Sequence, residues 1–182
     1  MVYQIILGNV VYDAVSRMID AGHRKIAIIN RSPNSYLGRV RFNGYQRPMA
    51  DHHLSLRDEY IFHGNLRREM GYRDAKKLLS LSERPTCVML CNNEITIGFM
   101  EAIRESGLRI PYDIQFVGLD RIELFELAGI PMNYIERNAT VLGRAATELL
   151  LSRRESPDSP KERRQLKPIV SCSWLRSPDM QS

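Results

Sequence analysis

A chain of 182 residues with 43% hydrophobic and 26% charged side chains can bury a substantial core and has an ordinary globular composition. No apolar run reaches the ~20 residues that cross a bilayer, and no basic-then-apolar leader follows Met1, so a cytoplasmic protein without membrane contact is expected. The net charge of +5 raises nucleic acid as a partner, but much of the excess falls in "SRRESPDSPKERRQLK", residues 152–167, a mixed-charge Pro/Ser stretch that reads as an exposed connector.

In chain order, helical and strand patterns alternate. Residues 10–22, "VVYDAVSRMIDAG", carry apolar side chains at helical spacing and stop at a glycine. "KIAIIN", residues 25–30, is a short apolar run suited to a buried parallel strand. Residues 38–52 read as a helix that Pro48 should end or kink. "EYIFHG", residues 59–64, is strand-like, and residues 68–81 form an amphipathic helix. "TCVMLC" and then "NEITIGFMEAIRESG" repeat the strand–helix theme over residues 86–107, and "DIQFVGLD", residues 113–120, supplies another buried strand. A helical turn over 121–129, an apolar helix from Ala139 and the closing "KPIVSCSWLRS" follow.

Strands alternating with helices predict an α/β fold, a parallel sheet with helices on both faces. In such sheets ligands bind beyond the carboxyl ends of the strands. Asn92 and Asp120 follow two of these strands, so both are expected on the binding edge. An amide offers a donor and an acceptor, and a carboxylate accepts two hydroxyl protons, which suits a polyhydroxylated ligand. Each residue has a plainer reading. Asn92 or Asn93 suits a helix N-cap, Asp120 can begin the turn after it, and Arg41 can be a surface ion pair.

Enzyme chemistry finds little support. Cys87, Cys91 and Cys172 form no Cys-x-x-Cys pair, and the first two flank "VML" as small core residues. His23 suits capping or packing, and His52, His53 and His63 have no metal-ligand spacing. There is no Gly-x-Ser-x-Gly elbow and no phosphate-cradling Gly-x-x-x-x-Gly-Lys loop. No cofactor, metal or catalytic residue is expected.

Four stretches, in order and at matching separations, resemble the effector-binding core of the LacI/GalR family of bacterial transcription regulators. They are "AGHRKIAII", "RVRFNGY", the unit "RPTCVMLCNNEITIGFMEAIRESGLRIPYDIQFVGLD" and "IPMNYIERNATVLGRAATELLL". That core is similar in fold to type I periplasmic sugar-binding proteins. The resemblance implies that Arg41 makes bidentate hydrogen bonds to sugar hydroxyls, that Asn92 and Asp120 contact the ligand, and that Leu66 forms an apolar wall. Arg137 lies at a crossover where the family often places a polar ligand contact. Two departures stand out: Asn93 replaces a usual aspartate, and Arg121 replaces a common second acid, which admits a more anionic ligand.

The resemblance also implies an organisation. Residues 10–135 correspond to the C-terminal lobe, 139–166 to a segment completing the N-terminal lobe, and 167–176 to a return strand. The DNA-reading helix-turn-helix and most of the other lobe are expected to be missing, so the chain reads as a fragment or truncated product. A homodimer through Ile97, Met100 and Leu124 is implied, although the first two equally suit an intramolecular core. The expected function is binding of a small effector, a sugar or related molecule, coupled to operator DNA only through the absent domain. The alternative is a stand-alone or periplasmic-type sugar-binding protein.

Overall fold

The computed structural model describes residues 2–3, 7–136, 139–155, 163–164 and 168–178. The elements are β1 (Val2–Tyr3), α1 (Leu7–Asp20), β2 (Ile26–Arg31), α2 (Tyr36–Asp51), β3 (Ile61–Gly64), α3 (Arg68–Leu79) and β4 (Cys87–Leu90). They continue with α4 (Asn93–Ser106), β5 (Gln115–Leu119), α5 (Glu123–Leu127), β6 (Asn133–Glu136), α6 (Ala139–Glu155), β7 (Arg163–Arg164) and β8 (Ile169–Ser171).

Six strands form one sheet in the order β3-β2-β4-β5-β6-β8. Neighbours from β3 to β6 run parallel, as expected, and β8 pairs antiparallel with β6 through Ile135↔Val170. The continuous apolar runs are explained by burial on both faces. Alternation within β2 divides them: Ile26 and Ile28 join Val11, Val15 and Tyr45 from α1 and α2, whereas Ala27 and Ile29 join Leu78, Ile95 and Phe99 from α3 and α4. These two clusters form the core on either side of the sheet.

Two boundaries fall further on than one reading of the sequence placed them. Helix α2 does not end at Pro48 but runs one turn beyond it to Asp51, and Pro48 itself is buried. Helix α6 extends to Glu155, four residues into the stretch expected to be connector. Residues 156–162 and 165–167 of that stretch lie outside the described residues.

Two pieces stand apart from the main sheet's core. Strand β1 pairs in parallel with β7 in a two-stranded sheet of its own. Helix α6 buries none of its described side chains, and Val141, Leu150 and Leu151 are exposed along it. Among the described residues, no helix is long and apolar enough to cross a membrane.

Candidate ligand-binding edge

The parallel strands bring their carboxyl ends to one edge, where Arg31 ends β2, Gly64 ends β3, and Asn92 and Asp120 follow β4 and β5. Three of the residues expected to contact ligand are gathered here. Asn92 is the N-cap of α4: its Oδ1 accepts from the Ile95 N–H at 2.8 Å. Its Nδ2 donates to the Leu66 carbonyl at 3.0 Å, tying the loop after β3 to the end of β4. The capping reading of Asn92 holds, and it does not exclude a ligand contact, since each amide atom keeps further hydrogen-bonding capacity.

Leu66 and Asp120 both adopt left-handed backbone conformations, with φ of 64° and 76°. Such conformations cost about 1–2 kcal/mol for a residue with a Cβ and persist where surrounding contacts impose them. For Leu66 the contact is the Asn92 amide. At Asp120, the backbone N–H donates to the Ile135 carbonyl at 2.8 Å. With its amide nitrogen facing the acceptors, Asn93 also donates to the Leu119 and Asp120 carbonyls at 3.2 and 3.3 Å. An aspartate in place of Asn93 would set a carboxylate against two carbonyls, which gives this departure a structural reason.

Arg41 lies on the inner face of α2 and is only 5% exposed, so it is not a surface ion-pairing side chain. Its charge bears on Cys91, the residue before Asn92, which places the guanidinium close to the end of β4. Burial pushes the Cys91 thiol up to about 12, with Arg41 acting against it, so Cys91 is a core residue rather than a nucleophile. Asn30 donates to the Gly38 carbonyl at 2.9 Å and pins the start of α2 to β2. A Cβ on Gly38 would meet the Ser32 carbonyl at 2.0 Å, so only glycine allows this approach.

Arg121, expected to favour an anionic ligand, is engaged by Glu126: Nε donates to Oε1 at 2.9 Å and a second guanidinium nitrogen bonds Oε2. It is therefore neutralised locally. Arg137 lies outside the described residues. His23 packs as expected: it is fully buried, its Nδ1 lies 2.8 Å from Thr86 Oγ1, and burial lowers its pKa to about 4.

Sequence reasoning passed over a cleft of about 900 Å³ beside this edge. It lies between the loop after β2, the loop after β3 and the start of α3, and is lined by Arg31, Ser35, His63, Asn65, Glu69 and Arg73, among others. Arg31 ends a strand read only as an apolar run, so nothing local marked it.

A second, more apolar groove of about 540 Å³ lies across α4 and α5, lined by Ile97, Met100, Ile103, Leu108, Phe125 and Ile130. Ile97 and Met100 are half-buried against the core, whereas Leu124 and Leu127 on α5 are 68% and 86% exposed.

A family model described as a periplasmic binding protein-like domain matches residues 15–171. The ribose operon repressor of Haemophilus influenzae is 35% identical over 147 residues, covering 81% of this chain and 44% of that protein. The HTH-type transcriptional repressor PurR of Vibrio vulnificus is 33% identical over 150 residues, 82% of this chain and 45% of its own length. The chain thus spans less than half of these relatives. Among solved structures, a LacI-family regulatory protein from Chloroflexus aggregans superposes with a TM-score of 0.85 at 30% identity, covering 93% of this chain and 62% of that one. A LacI-family regulator from Enterococcus faecium with bound ribose shares the fold at a TM-score of 0.82 and 21% identity, over 97% of this chain and 65% of that one.

Proposed function

Because the chain belongs to the periplasmic binding protein-like domain family, we propose that it is the C-terminal effector-binding lobe of a LacI-type bacterial transcription regulator. The observation that carries this reading is the edge itself: Asn92 holds the Leu66 carbonyl at the end of β4, Asp120 follows the neighbouring strand β5, and the buried Arg41 lies near the end of β4. Amide, carboxylate and guanidinium together match the donors and acceptors of a sugar or related polyol, and Leu66 suits its apolar face. The repressor relatives support a regulator over a periplasmic sugar binder.

The second wall of the effector site would come from another lobe. The separate β1–β7 pair and the exposed face of α6 support assigning residues 139–166 to that lobe. An effector held between lobes favours one closure state, and shifts operator affinity only by its differential affinity for the states. Operator contact would be made by a separate N-terminal DNA-reading domain, with a second copy presenting the paired half-site. The apolar groove over α4, continued by Leu124 on α5, is the proposed homodimer face. The protein on this reading is cytoplasmic, non-enzymatic and without a cofactor.

The test is Asp120→Asn. Asparagine also tolerates positive φ, so the substitution removes charge while keeping the backbone. Ribose affinity followed by amide chemical-shift titration should fall by about 1–3 kcal/mol, the range for a lost charged hydrogen bond. Unchanged affinity would refute the assignment.

A further inference from the structure

We propose that the cleft lined by Arg31 and Arg73 is an anion subsite of the effector pocket, so that the preferred effector is a polyol carrying a phosphate or carboxylate. This rests on the effector-site reading above and extends it.

The strand order supplies the geometry. Arg31 ends β2, which is separated from β5 by β4, so the ends of β2 and β5 lie about 10 Å apart at the usual spacing of ~4.8 Å per strand. Asp120 stands beyond one of these ends and Arg31 at the other. A pentose with an anionic group on its terminal carbon has about that length. Its hydroxyls would meet Asp120 and Asn92 while its anionic end reached the 900 Å³ cleft.

The chemistry is set out on fixed backbone. The Arg31 carbonyl faces His63 Nδ1 at 3.2 Å, the Ser32 N–H donates to the Gly64 carbonyl at 2.9 Å, and Ser35 Oγ donates to the Ser32 carbonyl at 2.9 Å. The loop bearing Arg31 is thereby held, while no ion pair among the described residues engages its exposed guanidinium. Arg73 is ion-paired with the buried Asp74 through Nε at 2.9 Å, which offsets its charge but leaves its terminal nitrogens able to donate, so Arg31 supplies the cleft's uncompensated positive charge among the described residues. A guanidinium fork fits two oxygens of a phosphate or carboxylate. Asn65 adds an amide on the same wall. Glu69 is the opposing charge on the cleft wall and should weaken, rather than abolish, anion binding. Of the other basic residues near this edge, Arg121 is paired with Glu126, and Arg41 is buried on α2 near the end of β4, outside the lining of this cleft.

The experiment is an NMR titration of the ¹⁵N-labelled chain with ribose, ribose 5-phosphate and inorganic phosphate, at low ionic strength. Ribose 5-phosphate should bind on the order of tenfold more tightly than ribose, as expected for a charge-assisted hydrogen-bonded anion, and should shift the amides of Ser32 and Asn65. Arg31→Met, at an exposed position, should erase that advantage and leave ribose binding within twofold. Glu69→Gln should increase it. Equal affinities for ribose and ribose 5-phosphate in the unaltered chain would overturn this inference and leave the effector-site reading standing. Phosphate binding that depends on Arg31, with no binding of ribose, would support the subsite and overturn the sugar reading. Phosphate binding that survives Arg31→Met, or no binding of either phosphate compound, would overturn the subsite.

Discussion

Replacing Asn92 separates its structural role from its proposed ligand role. In Asn92→Ala, α4 loses the acceptor for the Ile95 N–H, and the Leu66 carbonyl loses its donor. A lost N-cap costs about 1 kcal/mol and a lost neutral hydrogen bond about another 1 kcal/mol. The two losses act on different elements, so they should nearly add, with some relief as the left-handed backbone at Leu66 relaxes. The expected destabilisation is ~1.5–2.5 kcal/mol. Asn92→Asp keeps the cap and places a carboxylate at the positive end of α4, yet opposes the Leu66 carbonyl, so its loss should be about half as large. Urea unfolding followed by circular dichroism measures both. A loss below about 0.5 kcal/mol in Asn92→Ala would refute the reasoning, because it would mean that neither bond is formed in solution.

The remaining predictions concern pH, packing and assembly. His23 is held below its ordinary pKa, at about 4, chiefly by burial, so the unfolded chain takes up its proton first as pH falls. Stability should therefore drop between about pH 6.5 and 4, by roughly 3 kcal/mol in all for this group, and unfolding curves of His23→Gln should lack that part of the slope. Gly98→Ala should destabilise by about 3 kcal/mol or more, since its Cβ would meet the Arg68 carbonyl at 2.1 Å and the Tyr72 nitrogen at 2.6 Å on α3. Gly143→Ala, with nothing within 4 Å on the exposed α6, should be neutral or stabilising by up to about 1 kcal/mol, and thermal unfolding tells the two apart. Met100→Asp places a charge in the apolar groove over α4, and sedimentation velocity should show weaker self-association without loss of helix content. An unchanged sedimentation profile would remove that groove as the dimer face.

Much of the architecture was legible because its causes are local. Apolar runs at strand length and amphipathic stretches at helical spacing marked the elements from α1 to β5 within a few residues. Asn92 and Asp120 could be placed at strand ends by counting along the chain; Leu66 and Arg41 were singled out by the resemblance to LacI-type regulators, and the structure shows Arg41 to be buried rather than a surface cation. Of the two outcomes expected at Pro48, ending the helix did not occur: α2 continues for one more turn to Asp51.

By itself, then, the sequence determined which segments become strands and helices, and which polar residues sit where a parallel sheet binds ligands. The periodicities behind those conclusions depend on near neighbours. Only the tertiary structure decided the strand order, the antiparallel turn-back of β8, and the pairing of Asn92 with Leu66 across 26 positions. It also decided which basic side chain faces the cleft. Arg121 looked available beside Asp120, but the short helix α5 presents Glu126 to it, while Arg31, unremarked at the end of an apolar strand, borders an open cleft because β3 lies alongside β2. Arg121 and Glu126 are only five positions apart, but the fork closes because α5 begins just after Arg121. The cleft joins residues more than thirty positions apart, so it follows from how the elements pack rather than from any one stretch of residues.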